Sequence, residues 1–262
     1  MITALILLPV VILTILKGGS FLFAGLVAIF TFIGMIEFYN MALPARKAES
    51  WGAATCGALF IFLPFLNDRQ LIMAAVVALF LVFAVIFLFR IKDIATAAQE
   101  VSYSALAFLY IPFLLVHLLL LHQTPFGIKW LFVIMLIVMT NDTAAFYTGS
   151  AFGRHKLYPL VSPKKSIEGA LGGLFGSIAG TMLAKFTFFP QLTLLDALFT
   201  AILIGMLGQI GDLFESLLKR SFGVKDSGTI FPGHGGVLDR LDSIIFAAPA
   251  TYYYAVYVFG RF

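Results

Sequence analysis

The stretch Gln70–Phe89, QLIMAAVVALFLVFAVIFLF, runs for twenty residues without a charge. A helix of that length rises about 30 Å, the thickness of a bilayer's hydrocarbon. The run does not alternate apolar with polar, as a membrane barrel strand would. In lipid a helix satisfies its own backbone hydrogen bonds, so the run reads as a spanning helix. The same pattern recurs along the chain. About nine apolar runs fall near Ile2–Leu16, Ser20–Met41, Ala53–Leu66, Gln70–Phe89, Val101–Leu121, Ile128–Gly149, Ile167–Phe189, Thr193–Leu218 and Leu241–Phe259. The expectation is an all-α, polytopic integral membrane protein with about nine transmembrane helices.

Composition agrees. Of the 262 residues, 61% are hydrophobic and 11% charged. A soluble globule of this size could not cover such an excess with polar surface. An ordinary cytosolic domain, a disordered chain and a nucleic-acid-binding module are therefore excluded. The single Cys56 excludes a disulfide framework and a cysteine-based zinc site. The first apolar run has no positive residues before it, and Lys17 follows it, so it reads as a retained helix rather than a signal peptide.

Basic residues set the expected orientation. With a cytoplasmic N-terminus and nine spans, inner loops hold Arg46, Lys47, Arg90, Lys92, Arg154, Lys156, Lys164, Lys165, Lys219, Arg220, Lys225 and Arg240. Lys17, Arg69, Lys129, Lys185 and Arg261 fall on the other face or its flanks. Arg46, Lys47, Arg90 and Lys92 read as topological charges and nothing more. The chain changes character near residue 128. Residues 1–127 read as a hydrophobic scaffold, a surface for lipid or a second copy. Residues 128–262 read as a catalytic membrane region with cytoplasmic polar loops, because acids, lysines and glycines there border or enter the apolar runs. Charge at membrane depth is costly and points to function.

Three segments carry that polarity: Asn141–Gly149, Gly153–Gly169, and Gly211–Asp242. Positions three, four and seven apart share a helix face, which makes one stripe of Asp212, Glu215 and Lys219 and another of Asp239 and Asp242. With Asp142 these acids are expected to meet at one depth, at the cytoplasmic side. Clustered carboxylates need cations, and hard oxygen ligands suit Mg²⁺, which commonly bridges carboxylates to phosphates. Lys164, Lys165, Lys219, Arg220 and Lys225 suit several phosphates, and Ser166 with the helix start after it offers backbone donors. The glycines around His234, including Gly235 and Gly236, permit a tight loop that approaches a ligand. Acids for a metal beside cations for phosphates suggest phosphoryl or nucleotidyl transfer to a lipid phosphate. Glu37 reads as a structural hydrogen-bond partner. Gly172, Gly173 and Gly176 read as the seat of a close helix crossing.

The 27-residue stretch SLLKRSFGVKDSGTIFPGHGGVLDRLD, Ser216–Asp242, resembles the motif of the phosphatidate cytidylyltransferases, the CDP-diacylglycerol synthases. The Asn141-Asp142 pair and Ser162–Gly169, SPKKSIEG, are similar to that family too. The resemblance implies that CTP and phosphatidic acid give CDP-diacylglycerol and diphosphate. It implies Mg²⁺, admits K⁺ as a second cation, and implies a homodimeric membrane enzyme; with the orientation expected from the basic residues, the site faces the cytoplasm at the inner membrane. Carried onto matching positions, it makes Asp212 and Asp239 the metal ligands. It adds Lys219, Arg220 and Asp226 as catalytic candidates. Asp142, Lys164, Lys165, Ser166, Glu215, Ser216, Lys225, His234, Gly235, Gly236, Arg240 and Asp242 become substrate-binding candidates. Two other readings stay open. Another lipid acceptor, an ether-lipid phosphate or a polyprenol, depends on apolar helices that carry no pattern. An ion-coupled transporter is the other, although its polar groups belong at the midplane rather than at one face.

Overall fold

The computed structural model describes residues 2–66, 68–91, 93–230 and 235–259. Within them the chain forms ten α-helices: α1 (Ile2–Lys17), α2 (Gly19–Ala42), α3 (Lys47–Phe60), α4 (Arg69–Arg90), α5 (Ala97–Tyr110), α6 (Pro112–His122), α7 (Gly127–Phe152), α8 (Ile167–Phe186), α9 (Leu194–Ser221) and α10 (Leu238–Tyr257). A short hairpin of β1 (Lys156–Tyr158) and β2 (Ser162–Ser166) precedes α8. The protein is thus an all-α polytopic membrane protein. By length and composition six segments suffice to cross a bilayer: α2, α4, α7, α8, α9 and the pair α5–α6 counted together.

The expectation of nine spans differs from this in instructive ways. Ala53–Leu66 was expected as one run, yet α3 ends at Phe60 and a 3₁₀ turn over Leu63–Leu66 follows. Val101–Leu121 is interrupted at Ile111, because Pro112 has no N–H to donate and opens a new helix instead. The charges Asp239, Arg240 and Asp242 and the tyrosines Tyr252–Tyr254 lower the hydropathy of α10.

Two compact units arise, one from residues 1–119 with 226–238 and one from 120–225 with 239–262. In the first, α2 packs on α1, α3 and α5, and α4 packs on α5. Almost none of α4 is buried in the chain, as suits a face that meets lipid. Arg46 departs from its expected role as a loop charge. Its side chain is buried, bridges Glu100 at 2.5 Å and Glu49 at 3.5 Å, and donates to the Arg90 carbonyl oxygen. A buried guanidinium must be paired, so this charge ties segments together as well as marking a side. Arg90 also pairs with Glu49 at 3.3 Å. Burial alone would raise the Glu49 carboxyl, but its own backbone N–H, Arg90 and Arg46 hold it below its ordinary range. Lys92 lies outside the described residues.

In the second unit α7, α8 and α9 pack mutually. The glycine seat of α8 has a physical cause. A Cβ on Gly172 would overlap Thr148, and one on Gly176 would overlap the Thr140 carbonyl and Ala144, so α7 and α8 approach closely only because those side chains are missing. α9 begins with a capping box, in which Thr193 and Asp196 satisfy each other's backbone N–H groups.

Candidate functional site

The site is built in the second unit, from the C-terminal halves of α7 and α9, the hairpin and start of α8, and the first turns of α10. Backbone placement begins with Ser166. Its hydroxyl caps α8 by accepting from the Gly169 N–H at 3.1 Å, and the Ile167 N–H donates to the His155 carbonyl. Glu168 accepts from the N–H groups of Arg154 and His155 and meets the His155 ring at 2.6 Å, which closes the hairpin on its helix. The connector between α7 and α8, expected as a loop, is therefore ordered, and its ordering fixes Lys165. The Lys165 ammonium lies 2.5 Å from Asp212.

Two turns further along α9, Lys219 lies 2.5 Å from Glu215 and 2.5 Å from Asp239. Glu215 is almost wholly buried at 1% exposure, so this ammonium is its compensating charge. Asp239 and Asp242 stand one turn apart on α10. The helices α9 and α10 meet where a glycine permits it: a Cβ on Gly211 would overlap the Asp242 carbonyl, and Phe214 touches Phe246 with ring centroids 5.5 Å apart. Asp142, Asp212 and Asp242 lie within Coulombic range of one another, and Lys165 acts on Asp142 and Asp242 with the opposite sign. Asp239 and Asp242 likewise act on Glu215. The five acids therefore form one electrostatic set, joined by Lys165 and Lys219.

The other candidates distribute less tightly. Arg240 is exposed and within Coulombic range of Asp142. Lys164 and Lys225 are exposed, and Ser216 is half-buried on α9. Arg220 turns back to the Val224 carbonyl at 3.1 Å, which closes the end of α9, so it does not join the acids through that contact. Asp226 is exposed and belongs to the first unit, as do Gly235 and Gly236. Gly235 has φ +81°, a conformation that needs glycine. His234 lies outside the described residues.

A polar lock beneath the acids escaped the sequence reading. Asn141, buried on α7, donates to Ser177 Oγ at 2.7 Å on α8 and to the Gly205 carbonyl on α9. Gln209 donates to Asn141 Oδ1 at 3.1 Å and to the Ala170 carbonyl at 2.9 Å. Three helices are thus pinned one residue from Asp142 and three residues from Asp212. The available signal was an amide on each of two apolar helices, but nothing in the sequence paired them.

Among the described residues no three His, Cys, Asp or Glu side chains are grouped closely enough to cage a metal by themselves. Mg²⁺ does not require such a cage, since it commonly takes one or two carboxylates and completes its shell with water and phosphate oxygens. An acid set with ammonium partners has the chemistry for that.

The fold and site define a polytopic membrane protein with an ion-paired acidic site. The model of the cytidylyltransferase family matches residues 1–258, and the chain belongs to that family. It is 36% identical over 258 residues to the phosphatidate cytidylyltransferase of Staphylococcus saprophyticus, covering 94% of each chain. It is 33% identical over 258 residues to the proteins of that name from Staphylococcus aureus strain COL and Staphylococcus epidermidis strain ATCC 35984, again covering 94% of each.

Proposed function

We propose that the protein transfers CMP from CTP to phosphatidic acid, with CDP-diacylglycerol and diphosphate as products. The observation that carries the reading is the set of acids and lysines joined through Lys165–Asp212 and Lys219–Asp239. Family membership supports CTP as the nucleotide, and the name shared by the relatives supports phosphatidic acid as the acceptor. An oxygen of the lipid phosphate attacks the α-phosphorus of CTP. The bond from that phosphorus to the bridging oxygen breaks, and diphosphate leaves with the electron pair. The lipid phosphate is already a nucleophile, so no covalent enzyme intermediate is needed and the protein's work is alignment and charge neutralisation.

Lys165 and Lys219 are the cations that ion-pair with these acids, and their charge also attracts phosphate oxygens when substrate enters. Lys164, Lys225 and Arg240, all exposed, extend the positive surface along the triphosphate. Arg220 and Asp226 border the same segment of chain, and Ser166 holds the start of α8 that presents Lys165. Asp212 and Asp239 would hold Mg²⁺, with K⁺ as a second cation. Bound there, the metal supplies neutralisation of phosphate charge. Asp142, Glu215 and Asp242 keep the surrounding field negative enough to retain cations. The diacyl tails stay among apolar helices, with residues 1–127 as scaffold and a second copy of the chain completing a dimer. The lysines and arginines beside these segments support a cytoplasmic face for this chemistry, at the inner membrane.

The test is a panel of acceptors given labelled CTP, with purified protein in detergent. Phosphatidic acid should be the best acceptor, chelation should abolish turnover, and Asp212→Asn and Asp239→Asn should each lower it at least about a hundredfold. Preference for a polyprenol or ether-lipid phosphate would reassign the acceptor. Normal turnover by both variants would refute the roles given to the acids. Ion-driven uptake into liposomes without CMP transfer would refute the enzyme reading.

A further inference from the structure

Glu37 is a carboxylate of α2, only 3% exposed, inside the first unit. It accepts from Ser227 Oγ at 3.0 Å, from the Val237 N–H at 2.9 Å and from the Leu238 N–H at 2.9 Å. All three donors belong to one segment, Ser227–Leu238, about two hundred residues away in sequence. The fit is tight on both sides. A Cβ on Gly228 or on Gly236 would overlap the Glu37 carboxylate, and one on Gly34, a turn earlier on α2, would press on Leu238. Ser227, Val237 and Leu238 are themselves buried.

Burying a carboxylate is costly, and an apolar contact would fasten a loop at lower cost. A carboxylate does what an apolar group cannot: it accepts several charge-assisted hydrogen bonds at once and fixes the direction of each donor. Two of its donors are consecutive peptide N–H groups, one of them on the first residue of α10. Such groups lack partners within their own helix and favour an anion. Glu37 therefore caps a helix start from another helix and ties Ser227 to the same carboxylate. That loop carries the glycines of the motif, and Asp239 is the next residue of the chain after Leu238.

We propose that Glu37 is a positioning residue for the reaction, which fixes Ser227, Val237 and Leu238 and with them the start of α10, from which Asp239 follows in the chain. The proposal rests on the CMP-transfer reading, but its anchor is measurable without activity. Glu37→Gln places an amide NH₂ where an acceptor oxygen stood, so at least one donor loses its partner.

The experiment compares the full chain with Glu37→Gln, Glu37→Asp and Ser227→Ala, in detergent. It reads hydrogen exchange over residues 226–238 and over α8, together with kcat and KM for CTP. In Glu37→Gln, exchange of the loop should rise roughly tenfold and KM for CTP should rise by a similar factor, while α8 keeps its protection. Glu37→Asp should recover part of both, and Ser227→Ala should show a smaller shift of the same kind. Unchanged loop exchange in Glu37→Gln, or lost activity without a change in loop exchange, overturns the proposal. If Glu37→Gln unfolds altogether, Ser227→Ala decides, and wild-type exchange and KM there overturn it. Absence of CMP transfer by the unmodified chain would refute the functional reading alone, since the exchange comparison still reports on the anchor.

Discussion

Replacing Lys219 by methionine removes one ammonium and keeps most of the side-chain volume. In the folded chain that ammonium stands 2.5 Å from both Glu215 and Asp239, whose side chains are 2% and 8% exposed. At an effective dielectric of about 20, each contact is an attraction on the order of 6 kcal/mol, offset by the desolvation of three charges. The net loss is better judged from broken buried ion pairs, which cost about 3–5 kcal/mol because the remaining charge stays buried. Here two carboxyl groups lose their cation, and a buried acid escapes its charge by taking up a proton, so Lys219→Met belongs toward the lower end of that range at neutral pH. At about 2–4 °C per kcal/mol for a chain of this size, the unfolding midpoint in detergent should fall on the order of 10 °C. Lys219→Met with Glu215→Gln leaves a single buried anion and should recover at least about half of the loss. Thermal unfolding followed by circular dichroism reads both. A Lys219→Met protein that unfolds within about 2 °C of the parent, with no gain from the second substitution, would refute the claim that this lysine compensates the buried acids.

Gly172→Val forces a branched side chain into Thr148 of α7, where even a Cβ overlaps. It should destabilise by about 1–3 kcal/mol or more, whereas Gly25→Val, where a Cβ meets nothing within 4 Å, should stay within about 1 kcal/mol, and unfolding midpoints separate the two. Glu49 is held below its ordinary pKa, so its ionised form stabilises the fold. That contribution is complete above the unfolded value, near 4.3, and fades as pH falls through the folded one. The difference in midpoint between the parent and Glu49→Gln should therefore be constant from about pH 7 to 5 and close at lower pH. A gap that does not change with pH would argue against the Arg46 and Arg90 pairing as its source.

How much of this was legible in the sequence depended on the range of the interaction. Apolar runs such as Gln70–Phe89 fixed helical type and nearly fixed length, because lipid allows a backbone few other solutions. Helical spacing alone put Asp212 with Glu215, and Asp239 with Asp242, and the polar spacing of Ser216–Asp242 pointed to a family. The break at Pro112 was also written locally, although hydropathy concealed it.

What required the tertiary structure were the partners of each charge. Lys165 and Lys219 looked alike as basic residues beside acids, but folding gives the first to Asp212 and the second to Glu215 and Asp239. Arg46 looked like a topological charge and is a buried ion-pair centre. Glu37 looked like an isolated structural acid and holds a loop some two hundred residues away. Periodicity records which face a side chain occupies, because that follows from the local backbone. Which distant donor meets it depends on how helices cross, and that is settled by glycines, caps and packing acting together.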